Sequence, residues 1–374
     1  MTDRLAGVRR VLAQSPADAL VESVAEELVK AYSITDTELL LVDYRLAALV
    51  PLSGAPAVTK PGHPAWRSFD HQAEVVDGPA VYLPVTARGD RLGVLRLAPI
   101  PADPADQSEL SYIAVLLAHE LASVRLSTDR FTVAARTQRL TLAAEMQWEL
   151  LPGRSRSRPS FTLAGQLEPA YAVRGDTFDW ADDSDRLWLT TLNGTGEGVA
   201  AASLTALATH ALRNARRAGL DLADQAALAD QALYAHFRGE QHIAALMLQV
   251  DLATGVVTAI DAGSPRMILL RDGEVSDIPL EAQLPLGMFD GTDYRSQTFR
   301  LAAGDRLFIV SDGVFEAASE KTGLYGDAAL ARFVRRSHAA GPLEAVRALL
   351  GDLRAFVAGD LIDDAVAVCL DWNG

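Results

Sequence analysis

An α/β fold in two domains is what this sequence predicts, and three observations carry the prediction. The chain has 374 residues, against roughly 100–200 for an ordinary domain. Its first part reads helix, strands, hairpin, helix, whereas its last part sets apolar strands such as Arg306-Leu-Phe-Ile-Val310 and Ala365-Val-Ala-Val-Cys369 against a helical run through His210 and Arg213. Between them, residues 108–151 contain neither Gly nor Pro, so a helix can run on without a breaker. The expected boundaries are 1–125 for the first domain, 126–151 for a connecting helix and 152–374 for the second domain.

In the first domain, a cap at Ser15 or Asp18 precedes Leu20, Val21, Val24, Leu28 and Val29, which share helical spacing. Two apolar runs, 38–43 and 45–50, read as strands. The runs 80–85 and 91–97 flank Thr86-Ala-Arg-Gly-Asp90, a short Gly-containing turn, and read as a hairpin. A second helix starts near Ser108 and aligns Leu110, Ile113, Leu116, Leu117 and Leu121. This order resembles a GAF domain, a cytoplasmic sensor module, over roughly residues 15–125. The resemblance rests on layout, and it implies a small-molecule or protein signal that no motif identifies. Two readings of 108–151 stand open. One is a signalling helix that pairs with a second copy as a coiled coil and makes a homodimer; the other is two amphipathic helices broken near Ser127-Thr128-Asp129.

Composition closes off several function classes. Hydrophobic residues make up 49% and charged residues 22% of the chain, the balance of a globular protein. No window approaches the ~20 uninterrupted apolar residues of a membrane span. The start Met1-Thr-Asp-Arg-Leu5 lacks a basic region followed by an apolar one, so a cytoplasmic location without membrane contact is expected. A formal charge of −15 argues against nucleic acid, whose phosphates are met by clustered Lys and Arg. Cys369, the single cysteine, lies in an apolar strand and forms no intrachain disulfide. No glycine-rich phosphate loop with its Lys precedes a helix, which disfavours a nucleotide-binding kinase.

From residue 144 onward, short elements follow one another in a set order. They are Gln147-Trp-Glu-Leu-Leu-Pro152, Gly175-Asp176-Thr-Phe-Asp179-Trp180, Asn193-Gly194-Thr-Gly196-Glu197-Gly198 running into a helix, Asp251-Leu-Ala-Thr-Gly255 and Ala262-Gly263-Ser264-Pro265. Leu284-Pro-Leu-Gly287, Gly304-Asp-Arg-Leu307, Ser311-Asp312-Gly313-Val-Phe-Glu316-Ala317 and Asp363-Asp364-Ala-Val366 complete the series. In this order they resemble the landmarks of the SpoIIE-type branch of the metal-dependent protein phosphatase (PPM) family: the "LLP" entry, "GGDFYD", "GD-x-SG-x-G", "DxxTG", "AGHP", "LPLG", "GDxL", "TDGVTEA" and "DDxT". The resemblance implies a PPM α/β sandwich, two packed β-sheets flanked by helices, and a phosphoserine or phosphothreonine phosphatase with two Mn²⁺ or Mg²⁺ ions. It also implies a phosphorylated regulatory protein as substrate, of the kind that antagonises an anti-sigma factor in bacterial partner switching.

The chemistry of the residues agrees with that implication. Hard divalent cations take oxygen ligands and keep several waters, so a few carboxylates at strand ends suffice. Asp312 follows one apolar strand, Asp363 precedes another, and Asp176 sits at a Gly turn between two apolar stretches, although Asp beside Gly is also an ordinary turn former. By resemblance the catalytic and metal-ligating residues are Asp176, Asn193, Asp312 and Asp363, with the Gly194 carbonyl as a further metal ligand. Arg174, Asp179, Glu197, Gly313 and Asp364 are candidates for phosphate contact or for supporting the ligands. Two cations about 3.5–4 Å apart would activate a bridging water without a covalent intermediate.

Three of these positions depart from the family. Asn193 stands where the family has the Asp that bridges both metals, and an amide brings no charge and is a poor bridge. Arg174 replaces the first Gly of "GGD"; it is either a phosphate-binding guanidinium or a cation standing in for the charge of a missing metal. Ser264 replaces the His of "AGHP", and Glu197 is a candidate to restore the charge lost at Asn193. Two functions therefore stand: an active metal-dependent phosphatase, or a pseudophosphatase that holds a phosphoprotein or its partner without hydrolysis.

Overall fold

The structure is a computed structural model, described over residues 3–169, 173–263, 265–319, 323–357 and 361–374. It divides into two compact units, Met1–Arg139 and Leu140–Gly374. Among the described residues, no helix is long and apolar enough to cross a membrane.

The first unit runs α1 (Asp3–Gln14), α2 (Leu20–Tyr32), β1 (Asp36–Val42), β2 (Leu49–Pro51), α3 (Pro64–His71), β3 (Val75–Asp77), β4 (Ala80–Ala87), β5 (Asp90–Ala98), α4 (Pro104–Val124) and α5 (Arg130–Ala134). Its sheet is antiparallel throughout, in the order β2-β1-β5-β4-β3. Alternate strand positions, Leu39 and Leu41, Leu83 and Val85, Leu95 and Leu97, enter one core with Leu28, Leu117 and Leu121 from the helices. Helix α1 is an addition to the expected elements. Its signal was present in Leu5, Val8 and Leu12, which recur at helical spacing and are buried in the same core.

The unbroken helix expected over 126–151 is not formed. α4 ends at Val124, short α5 follows, and α6 (Leu142–Leu150) starts afresh. Local side-chain bonds account for the breaks. The Thr128 hydroxyl accepts the Arg130 amide at 3.3 Å, and the Thr141 hydroxyl caps α6 by accepting the Ala144 amide at 3.2 Å. Ser, Thr and Asp offer backbone groups partners outside a helix, so a segment can break without Gly or Pro. The break near Ser127-Thr128-Asp129 of the second reading is observed, but a further break between α5 and α6 makes three helices where that reading had two, and the coiled-coil basis for a homodimer goes with the first reading. α6 belongs to the second unit, where it packs on the next helix, and not to a connector.

After α6, the second unit runs β6 (Ser155–Arg158), β7 (Phe161–Glu168), β8 (Thr177–Asp182), β9 (Arg186–Gly194), α7 (Gly198–Arg217), α8 (Leu222–Phe237), β10 (Ile243–Asp251), β11 (Val256–Ala262), β12 (Arg266–Arg271) and β13 (Glu274–Asp277). It ends with β14 (Gln297–Arg300), β15 (Arg306–Val310), α9 (Asp312–Phe315), β16 (Ala318–Ser319), β17 (Gly323–Leu324), α10 (Tyr325–Arg336), α11 (Pro342–Val357) and β18 (Ala365–Trp372). Two antiparallel sheets form, β14-β11-β10-β9-β8 and β13-β12-β15-β18-β7-β6. Leu246, Leu248 and Val250 of β10 enter the layer between the sheets with Leu163, Phe178, Ile309 and Val368. Ala245 and Met247 turn the other way, to Leu204 and Ala208 of α7 and Leu233 of α8. A strand covered on both faces reads as nearly continuous apolar sequence, as β10 does. On the second sheet α11 lies along β7 and β18. This is the two-sheet sandwich with helices outside that the motif order implied.

Candidate functional site

Strand pairing assembles the acidic residues. β15 and β18 match Val310 to Ala367, so Asp312, just past one strand, and Asp363-Asp364, just before the other, come to the same end of the sheet. In the opposite sheet β8 and β9 match Thr177 to Leu192; one step along that register, Asp176 stands across from Asn193. Asp364 joins the two sheets. One oxygen of its fully buried carboxylate accepts the backbone amides of Arg174 at 2.8 Å and Gly175 at 3.0 Å. Gln147 of α6, also buried, donates to that oxygen at 2.8 Å and to the Asp176 carbonyl at 3.1 Å. Gly175 takes φ +99°, and a Cβ there would lie 2.9 Å from the Thr205 hydroxyl oxygen, which donates to the Gly175 carbonyl at 2.6 Å. Only glycine suits this position.

Asp176 is 1% exposed, and its carboxylate oxygens make no hydrogen bond of good geometry, the Ser311 hydroxyl being the donor that bears on them. Burial pushes its carboxyl well above the usual range, and the charge of Asp364 adds to the shift, as those of Asp312 and Asp363 do; the Ser311 hydroxyl facing it opposes the shift. Asp363 is raised too, by burial first and Asp312 next, while the Asp364 amide at 2.8 Å and the Arg174 guanidinium pull the other way. A buried, unsatisfied carboxylate among like charges is what a hard divalent cation would relieve. Among the described residues, no three His, Cys, Asp or Glu side chains are arranged to enclose an ion. The acidic residues meet at one end of the two sheets without closing around a common point, so any cation there would take much of its coordination from water.

The folded-state pKa of Asp176 lies above its unfolded value, so its ionisation opposes folding. That penalty is absent below the unfolded carboxylate pKa and grows as pH rises through it. Asp176→Asn is expected to raise the stability of the metal-free chain at pH 7 by at least ~1 kcal/mol. The gain should fade towards about pH 4, and Mn²⁺ binding should be lost. Thermal unfolding at both pH values checks the first part, and calorimetric titration checks the second.

The pattern of the family described as Stage II sporulation protein E (SpoIIE) matches residues 183–373. The chain belongs to the SpoIIE family. Asn193, Asp312, Asp363 and Asp364 fall inside the matched stretch, whereas Arg174 and Asp176 precede it. Phosphoserine phosphatase RsbP of Bacillus subtilis (strain 168) is 22% identical over 161 residues, which cover 42% of this chain and 38% of that protein. The solved PP2C phosphatase domain of SpoIIE from Bacillus subtilis, with a fragment of its regulatory domain, is 19% identical, with 59% of this chain and 64% of that one covered and a TM-score of 0.51. The SiaA-PP2C domain of Pseudomonas aeruginosa is 22% identical, with 56% and 85% covered and a TM-score of 0.50. The chain spans less than two thirds of the length of RsbP and of the SpoIIE structure. At these identities the solved structures establish a shared PP2C-type fold.

At this end of the two sheets, the residues singled out from the sequence take different places. Asp179 is not one of the acidic group: it accepts Arg213 at 2.8 and 3.2 Å and Arg216 at 3.2 Å, tying β8 to α7. Glu197 is exposed at the start of α7 and does not cap it, so no contact carries its charge to Asn193. Gly194 lies against the Asp176 turn, since a Cβ there would come within 3.0 Å of the Gly175 carbonyl oxygen. Arg174 is half-buried, with its Nε enclosed and without a hydrogen-bond partner. Ser264 lies outside the described residues. Gln147 is the residue that the motif series did not mark as functional. Its signal is a polar side chain among Ala143, Ala144, Trp148 and Leu150, all buried on α6; buried polar groups are kept where they have bonds to make.

Proposed function

We propose that the second unit is a Mn²⁺- or Mg²⁺-dependent phosphoserine or phosphothreonine protein phosphatase, with a centre weakened at Asn193, acting on a phosphorylated regulatory protein of the anti-sigma-antagonist kind. The observation that carries this reading is Asp176, enclosed with unsatisfied oxygens and facing the charges of Asp364, Asp312 and Asp363. Membership of the SpoIIE family, and likeness to a protein named a phosphoserine phosphatase, support the substrate class. Asp176, Asp312 and Asp363 would each contribute a ligand to the metal centre without enclosing one ion together, with the Asn193 amide and Gly194 carbonyl as neutral donors and water completing the coordination, and bound metal would supply an activated water. The chain's own residues shape the site around it. Asp364 and Gln147 fix the turn that presents Asp176. Arg174, whose charge is felt at Asp363, would meet phosphoryl oxygens. A cavity of about 180 Å³ beside Asp312 and Asp363, walled by Ala317, Val357 and Leu361, leaves room for the residue that carries the phosphate. The first unit, GAF-like in layout, is the proposed cytoplasmic sensor.

A second reading, a pseudophosphatase that holds its partner without hydrolysis, is favoured by Asn193 and Arg174. One removes a negative charge and the other adds a positive charge, so the centre is two charges less attractive to cations than the family pattern. Asp312→Ala separates mechanism from fold. Release of phosphate from a phosphoserine protein or a chromogenic phosphate ester should require added Mn²⁺ or Mg²⁺ and fall at least about a hundredfold in the variant. Metal-independent turnover, or an equally active variant, overturns the mechanism. Metal binding without turnover in the parent supports the second reading.

A further inference from the structure

One end of the first unit's sheet gathers arginines. Leu41 of β1 pairs with Gly93 of β5, and Ala87 of β4 pairs with Asp90 of β5. The β1–β2 connection, with Tyr44 and Arg45, and the β4–β5 turn, with Arg88, therefore emerge at the same end. Arg125, just past the last turn of α4, reaches this end too, since it senses Asp90 and Tyr44. Residues 136 and 137 join them, because the Thr137 hydroxyl donates to Asp43 at 3.1 Å. Four arginines, Arg45, Arg88, Arg125 and Arg136, thus lie on segments that meet at this end with two acids, Asp43 and Asp90, in a chain of net charge −15.

The acids do not bond the central arginine. Asp43 is buried and accepts the amides of Ala47 at 2.7 Å and Ala48 at 2.9 Å through one oxygen and Thr137 through the other. The Arg125 Nε is enclosed and has no hydrogen-bond partner, and Asp90 and Tyr44 act on the guanidinium only through space. An enclosed donor of a cation without a partner is unfavourable, and a bound ion or ligand is one way to supply the missing bond.

We infer that this end of the sheet binds a small oxyanion, the carboxylate or phosphate group of a small molecule, with Arg125 as central donor and Arg45 and Arg136 beside it. The planar guanidinium fork matches either group. The inference deepens the sensor reading of the first unit, but the binding itself does not depend on that reading. The site lies where α4 gives way to residues 125–139 of the same unit, so an anion there would bridge that segment and the sheet end.

Calorimetric titration of the full chain with inorganic phosphate and, separately, succinate, in chelator and at constant ionic strength, tests this and tells the two chemistries apart. Saturable binding of at least one anion is expected, weakened at least about tenfold in Arg125→Gln. Arg45→Gln and Arg136→Gln should each weaken it as well, which keeps the test decisive if the Arg125 variant folds poorly. No saturable binding of either anion overturns the inference, as does binding unchanged in all three variants. Binding that falls in Arg174→Gln and not in Arg125→Gln belongs to the second unit and overturns it too.

Discussion

Asn193→Asp is expected to tighten Mn²⁺ binding by about tenfold or more and to raise or create phosphatase turnover. The strand register sets residue 193 across from Asp176, so the new carboxylate enters the acidic group itself. At an effective dielectric near 20, a charge pair ~4 Å apart interacts by about 4 kcal/mol before desolvation is subtracted. A third of that is the ~1.4 kcal/mol that corresponds to a factor of ten. Calorimetry reads the affinity and phosphate release reads the turnover. If the parent chain already turns over well and the change moves neither quantity, Asn193 is not a lesion and the pseudophosphatase reading loses its main support. If the variant binds metal and stays inactive, Arg174 is the next residue to revert and the binding-module reading stands.

Gly313→Ala is expected to cost about 3 kcal/mol of stability and to remove metal binding. A Cβ at this position would fall 1.9 Å from the Asp364 carbonyl oxygen and 2.7 Å from its carbon. Both are backbone atoms at the entry to β18, and neither can swing aside as a side-chain tip would. Relief requires the entry to β18 to move away from α9, which displaces Asp363 and Asp364 together. Urea unfolding should show a lower midpoint with an unchanged slope, and a midpoint equal to the parent's would mean that the entry to β18 yields without cost. Gly313 is therefore a spacer between two acidic segments.

The sequence by itself determined the class of fold, the two-sheet sandwich of the second unit and the acidic residues worth testing. Each of these is written locally: an apolar run makes a strand, a Gly beside an Asp makes a turn at its end, and the order of such turns matches one family. Asp176, Asp312 and Asp363 were legible for that reason, and so was the charge missing at Asn193. Only the tertiary structure decided what each acid does, because burial and hydrogen bonding depend on partners remote in the chain. Asp363 and Asp364 are neighbours of the same type. Asp364 nevertheless spends one carboxylate oxygen on Arg174, Gly175 and Gln147, the last of them 217 positions away, whereas Asp363 stays half-buried beside Asp312. Asp179 is three residues from Asp176 in the same motif, yet two arginines on a helix 34 and 37 positions later claim its carboxylate. The helix of 108–151 failed for the converse reason. Its residues permit a helix throughout, and the Thr128 side-chain bond to Arg130, the cap at Thr141 and the packing of α6 into the second unit settle where it stops.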